Sequence, residues 1–353
     1  MKVAFKEIAQ RIKKKQGIPV VERDVGRVLA AALTSGDIWR IVDLAGIPVL
    51  ATCEALKSLS EEGWVAFINE RVVVTEKGKE EAKRLGISPL LELRCPHCRG
   101  RGLELSPFWG LLREFRRLAQ NRPEASQEFD QGYVTEETTV ARIALLFARG
   151  DLAGKEILVL GDDDLVSLAA ALSRLPKRVA VLDVDPRIVG FLREVAQTEN
   201  LGLEVYQHDL REPLPSELLR RFDAFICDPT ESFRGYLAFA QRGISSLRGP
   251  GCAGYLGLTR LEASLAKWRR IELALLEAGA VITDLFPNFH EYVNWPYIET
   301  MRAWPHLPVK RVPGKFEPWY RSALIRIELV EEPKVENVRY EGDIFTDEEA
   351  ATT

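Results

Sequence analysis

Cysteine, histidine and methionine are all sparse here: five, four and two among 353 residues. The cysteines (Cys53, Cys95, Cys98, Cys227 and Cys252) are odd in number in a long chain, which argues against a disulfide framework. The histidines (His97, His208, His290 and His306) show no metal-ligand spacing. No apolar run approaches the ~20 residues that span a bilayer. The opening "MKVAFKEIAQRIKKKQG" has no apolar signal core and reads as a helix with a basic end. A net charge of −4 sets up no global field that would gather nucleic acid. These absences predict a cytoplasmic protein with no membrane partner. Scarce methionine beside 19 prolines is the composition of a heat-adapted protein.

What is present is long enough for more than one core. Residues 1–90 read as short helices, then two β-rich runs around "NE" (64–78), then "KEEAKRLG": a winged helix-turn-helix domain. Its reading helix at 48–63 sets Lys57 against Glu54, Glu61 and Glu62. Base edges are read mostly by Arg, Lys, Asn and Gln. The unit is therefore expected to be a dimerisation or scaffold module rather than a DNA reader. Residues 91–105 form a linker around "CPHC". Cys95 and Cys98 resemble one knuckle of a zinc ribbon, but a structural zinc needs four ligands and the chain has no second Cys-x-x-Cys. A homodimer could supply the other two; a half-lost site or a plain turn are the alternatives.

From residue 155 strands alternate with helices: "KEILVLG" (155–161), "KRVAVLDVD" (177–185), "LEVYQHDL" (203–210) and "DAFICDPTES" (223–232), each followed by a helical stretch. This is α/β, a doubly wound parallel sheet spanning 106–330. Right-handed crossovers bring the strands' C-terminal ends to one edge, where ligands bind. The acidic stretch 331–353 is expected to be a mobile tail, with an acidic lid as the sharper reading.

The acids concentrate on that edge. Asp162, Asp163 and Asp164 follow the first strand, Asp183 and Asp185 the second, Asp209 the third, and Asp228 with Glu231 the fourth. A pyrophosphate would need bare glycine backbone after the first strand. Gly161 is followed instead by three negative charges, so the expected ligand is cationic and free of phosphate. Asp183 and Asp185 suit ribose hydroxyls, and Asp209 suits an adenine amino group. The spacing resembles the S-adenosylmethionine-transferase-like (Rossmann-like) fold, whose cofactor carries a sulfonium. "DPTE" (228–231) resembles the loop of amino-methyltransferases that holds a planar amine. Here Glu231 stands where those proteins have an aromatic, which favours an aliphatic amine over a nucleobase. Softer candidates are Asp130, Gln131 and Tyr133 in "FDQGYV", and Glu291, Tyr292 and Trp295 in "NFHEYVNWPYIET", where aromatics could cradle a cation. His208 reads as a satisfied strand-end residue.

Together "GDDD", "FDQGYVTEETTVAR", "DPTE", "GPGCAGY" and "NFHEYVNWPY", with the winged-helix front and "CPHC", resemble the branched-chain polyamine synthase family over nearly the whole chain. The resemblance implies an aminopropyltransferase. Decarboxylated S-adenosylmethionine would be the co-substrate, spermidine the acceptor and 5′-methylthioadenosine the by-product, with one or two additions left open. Asp163 is then expected as the base, with Asp164 as the alternative base or a clamp. Gly161, Asp162, Asp183, Asp185, Asp209 and Asp228 are expected on the donor. Asp228, Glu231, Asp130, Tyr133, Glu291, Tyr292 and Trp295 are expected on the acceptor. Competing readings are a nucleic-acid amino-methyltransferase and a polyamine-sensing regulator.

Overall fold

The computed structural model describes residues 2–353. Apolar positions at helical spacing produce α1 (Lys2–Gln16), α2 (Glu22–Thr34), α3 (Ile38–Ala45) and α4 (Val49–Glu61). Asp37 caps α3 by accepting from the Arg40 amide, and Gly46 ends it in the left-handed region. The hairpin of β1 (Val65–Ile68) and β2 (Arg71–Val74) turns through Asn69 and Glu70, both at positive φ, before α5 (Glu76–Leu85). Nearly all of α4 is buried, including Thr52, Glu54 and Ser58. Lys15 pairs with Glu54, and the Val49 amide donates to the Leu261 carbonyl at 2.8 Å. A groove-reading helix must project its side chains outward; α4 has no such face to offer. Its core continues into the chain at 292–320, where Trp39 packs on Trp319 (centroids 4.3 Å apart) and donates to the Arg311 carbonyl.

After α6 (Trp109–Ala119) and α7 (Glu136–Ala148) the sheet begins. Its strands are β3 (Glu156–Leu160), β4 (Arg178–Asp183), β5 (Leu203–Gln207), β6 (Ala224–Cys227), β7 (Ala253–Leu258), β8 (Ala280–Glu291) and β9 (Arg321–Leu329). The crossover helices are α8 (Val166–Ser173), α9 (Pro186–Thr198), α10 (Phe233–Ser246) and α11 (Leu265–Glu277). The spatial order is β5-β4-β3-β6-β7-β9-β8. β6 and β7 are wholly buried, as strands covered on both faces must be. The winding reverses between β3 and β6, which opens a crevice at their C-terminal ends.

The sheet is not all parallel as expected: β9 runs antiparallel between β7 and β8. The connection 292–320 holds only two short 3₁₀ turns instead of a crossover helix, so the chain re-enters the sheet from the edge it left. That edge is also where β3 to β7 end. The excursion therefore lays Tyr292, Trp295, Tyr297 and Tyr320 beside the strand-end acids.

The segment expected to be a mobile tail is packed over its final ten residues. Ile344, Ala350 and Ala351 are buried. Buried Glu262 accepts from the Ala351 and Thr352 amides and the Thr352 hydroxyl, while Lys267 pairs with Asp347. An acidic composition concealed three small apolar anchors and one lysine partner. Glu262→Ala should remove about 2 kcal/mol of docking free energy. Amide exchange at Ala351 and Thr352 should then rise roughly 30-fold; unchanged protection would mean that the segment is held elsewhere.

Candidate functional site

Two adjoining cavities occupy the crevice, and Asp130, Asp163, Asp228 and Thr230 border both. The first continues along Glu231 and the aromatic side chains of Tyr292, Trp295, Tyr297 and Tyr320. The second is bordered by Gly161, Asp183, Asp209, Phe239, Ile344 and Phe345. Gly161 sits at φ +69, and a Cβ there would stand 3.1 Å from the Phe239 ring. A side chain at 161 would thus be strained and crowded where β3 gives way to the aspartates.

The three consecutive aspartates have three environments. Asp162 is fully buried and caps α8: it accepts from the Val166 and Ser167 amides and the Ser167 hydroxyl. Asp164 accepts from the Val134 amide at 2.6 Å and from the buried Arg142 guanidinium. The Asp163 carboxylate, between them, accepts among the described residues only from the Gly132 amide, at 3.0 Å, and faces both cavities. The turn closes with Leu165 at φ +55, a conformation a bulky side chain rarely adopts, in the manner of backbone strain at functional sites. Burial, then the charges of Asp164, Asp183 and Asp228, pushes the Asp163 carboxyl well above the usual range.

Asp228 is held by Arg142 (2.6 Å) and by the Tyr292 hydroxyl (2.7 Å). Burial raises its pKa and Arg142 opposes the rise. Glu231 is raised well above its ordinary value by burial, then by Glu262, Asp130 and Asp228. Burial pushes Asp130 up to about 7, against a hydrogen bond from Thr230. Asp183 accepts from the Asp162 and Asp185 amides at 2.7 and 2.8 Å, which fixes the carboxylate beneath the second cavity. Asp209 borders the same cavity, turned onto Arg211 in a bidentate pair.

Several expected residues lie elsewhere. Asp185 caps α9 by accepting from the Arg187 amide and is consumed by the Arg187 and Gln131 side chains, so it borders neither cavity. The Tyr133 ring is covered by Arg122 at 3.9 Å and borders neither cavity. Glu291, the last residue of β8, sits in a cluster of arginines and borders neither cavity. There it meets Arg99 at 2.7 Å, Arg101 and Arg321, and these arginines hold its pKa down against the effect of burial. His208 is not satisfied: its buried Nε2 has no partner. Cys95 and Cys98 find no further ligands, for no group of three or more His, Cys, Asp or Glu among the described residues could hold a metal ion. The donor set within this chain does not fit a structural zinc. Among the described residues no helix is long and apolar enough to cross a membrane.

The residues missed from the sequence are Arg142, Tyr297, Tyr320 and Glu262. Arg142 had a signal: a charge set between Val140, Ala141, Ile143 and Ala144, in the apolar part of its helix, must be buried against a partner. Glu262 had one too, since it follows β7 on the same edge as the other strand-end acids; Tyr297 and Tyr320 had none, because their proximity to the crevice follows from the 292–320 excursion.

A switch-point crevice with carboxylates on every side and no bare-backbone phosphate cradle defines an S-adenosylmethionine-transferase-like α/β protein. The profile of the branched-chain polyamine synthase A C-terminal domain matches residues 110–352. The chain is 48% identical over 355 residues to the N(4)-bis(aminopropyl)spermidine synthase of Thermococcus kodakarensis, covering 99% of this chain and 100% of that one. It is 50% identical to the enzyme of the same name from Thermus thermophilus, over 99% of each. A crystal structure of the Thermus thermophilus branched-chain polyamine synthase with N4-aminopropylspermidine and 5′-methylthioadenosine superposes with a TM-score of 0.94 at 49% identity, over 100% of both chains. The chain belongs to the branched-chain polyamine synthase family.

Asp130 offers a direct check on the cavity's electrostatics. An unfolded aspartate loses its proton near 3.8, whereas the folded one keeps it until about 7. The folded state therefore binds more protons across that interval, and stability falls as pH rises through it. Asp130→Asn should flatten this decline and raise the melting temperature of the ligand-free protein at pH 8. Superimposable melting-temperature profiles would contradict the assignment.

Proposed function

We propose that this chain transfers the aminopropyl group of decarboxylated S-adenosylmethionine to the internal secondary amine of spermidine. The products are N4-aminopropylspermidine and 5′-methylthioadenosine; a second round on the tertiary amine gives N4-bis(aminopropyl)spermidine. The observation that carries this reading is the pairing of the two cavities. One sets Leu182, Val184, Phe239 and Phe345 beside Asp183, the acid for ribose hydroxyls. The other combines carboxylates with aromatic faces, the surroundings a flexible polycation needs. Asp163 stands where the two meet.

The amine's lone pair attacks the carbon next to the sulfonium. The C–S bond breaks with its electrons going to sulfur, which leaves as a neutral thioether. In the first round the nitrogen carries a proton that must depart, and Asp163 is the acceptor because its carboxylate is not bound to a cation. Asp164 does not compete as a base: one of its oxygens holds the Val134 amide and the other holds Arg142. Asp130 and Glu231 clamp the protonated terminal amines, while Tyr292 and Trp295 face the chain between them. Carboxylates that attract the amine also favour its protonated form, so much of the acceleration comes from orientation. Asp183 takes the ribose and Asp209 the adenine end of the donor.

The same proposal assigns the N-terminal winged-helix unit a scaffold role, consistent with the burial of α4, and a cytoplasmic homodimer as the working form. β8 ends the sheet with an unpaired edge and leaves Val281 and Leu285 exposed for such a contact.

Incubation with decarboxylated S-adenosylmethionine and spermidine should yield methylthioadenosine and a heavier, branched polyamine by mass spectrometry. Asp163→Asn should lower kcat about 1,000-fold while leaving the fold intact. Release of S-adenosylhomocysteine from a nucleic-acid substrate, or full activity of Asp163→Asn, would contradict the reading.

A further inference from the structure

Arg142 is 1% exposed, yet all three of its nitrogens are engaged. Nη1 donates to Asp164, Nη2 to Asp228 at 2.6 Å, and Nε to His290 Nε2 at 3.1 Å. Because Nε2 is the acceptor, the proton of this fully buried, neutral imidazole resides on Nδ1. Nδ1 lies 2.6 Å from the Ser322 hydroxyl oxygen and so donates to it. Ser322 Oγ lies 3.0 Å from the Tyr292 oxygen, and Tyr292 donates to Asp228 at 2.7 Å. The donors therefore run in a closed ring: Arg142 to His290, His290 to Ser322, Ser322 to Tyr292, Tyr292 to Asp228, with Arg142 closing on the same carboxylate. Every link fixes the direction of the next, and such rings strengthen their members.

The consequence concerns the neighbouring acids. One guanidinium fork binds a carboxylate from the β3 turn and another from the β6 turn. That spans the crevice and ties both acids to a permanent cation. Asp163, between Asp162 and Asp164 in sequence, is left with a single amide donor. Removal of the fork would leave two buried carboxylates free to repel Asp163 and to take up the substrate's cationic groups in its place.

We propose that Arg142 is a positioning residue for the transfer reaction. By occupying Asp164 and Asp228 it leaves Asp163 as the proton acceptor, and through His290 and Ser322 it sets the Tyr292 ring against the acceptor cavity. The inference rests on the aminopropyl-transfer reading, and turnover by the unmodified protein in the same assay separates failure of that reading from failure of this one.

The test compares Arg142→Lys and Ser322→Ala with the parent chain, measuring kcat, KM for each substrate and melting temperature. Lysine keeps the charge but cannot fork. Arg142→Lys should therefore lower kcat about 100-fold. KM for decarboxylated S-adenosylmethionine should stay within about twofold, since Asp164 and Tyr292, which Arg142 positions, border the acceptor cavity and not the nucleoside one. Ser322→Ala cuts the ring and leaves every charge in place. It should raise KM for spermidine about fivefold, the size of one lost neutral hydrogen bond, with the donor KM unchanged and the melting temperature lowered by the unpartnered His290 N–H. A folded Arg142→Lys protein with parental kcat would overturn the proposal. Should Arg142→Lys fail to fold, an unchanged spermidine KM in Ser322→Ala would overturn it alone.

Discussion

Mutual repulsion of carboxylates gathered at one sheet edge is the constraint to which the rest of the site answers. Two unit charges about 4 Å apart at a protein surface repel by about 4 kcal/mol. The fold meets this in three ways. Some of the acids are made structural: Asp162 and Asp185 cap helices, and Asp183 grips two backbone amides. Others are tied to a cation, as Asp164 and Asp228 are to Arg142. The remainder, Asp130, Asp163 and Glu231, neither cap a helix nor meet a cation, and burial pushes their pKa values up, which favours their uncharged forms in the empty site. Those three are the groups a polycation can exploit.

The walls come from distant parts of the chain. The excursion between β8 and β9 supplies the aromatic side, and its far face merges with the apolar core of the N-terminal helices. The C-terminal segment is seated on Glu262 and Lys267, and Glu262 also holds the Tyr320 hydroxyl. Lys267 in turn donates to the Glu231 carbonyl. Residues bordering the first cavity are thus braced by a segment whose acidic composition reads as solvated, and by N-terminal helices that border neither cavity.

Alternation of apolar strands with helices was legible, and so was the edge on which the strand-end acids fall, because both follow from periodicity and from the handedness of crossovers. The identity of the family was legible in the motifs themselves. Which acid does what was not. Neighbours in "GDDD" diverge because a helix start, a buried arginine and a cavity lie within a few ångströms of one another, and only Arg142, set among apolar residues of its helix, hinted at this. Glu291 parts from its neighbour Tyr292 because it pairs with Arg99, Arg101 and Arg321, partners the sequence does not bring near it. The antiparallel β9 escaped notice because nothing in "RSALIRIEL" distinguishes its direction. Tyr320 escaped with it.

Proton release on binding tests the central claim most directly. Titration calorimetry with spermidine near pH 7, repeated in buffers of different ionisation enthalpy, counts protons exchanged with solvent. Carboxylates that hold protons in the empty hollow must give them up to a multiply charged amine, so binding should release protons, and Asp130→Asn should release fewer. Binding with no net proton exchange, or displacement of spermidine by a phosphate-bearing nucleotide, would contradict the account.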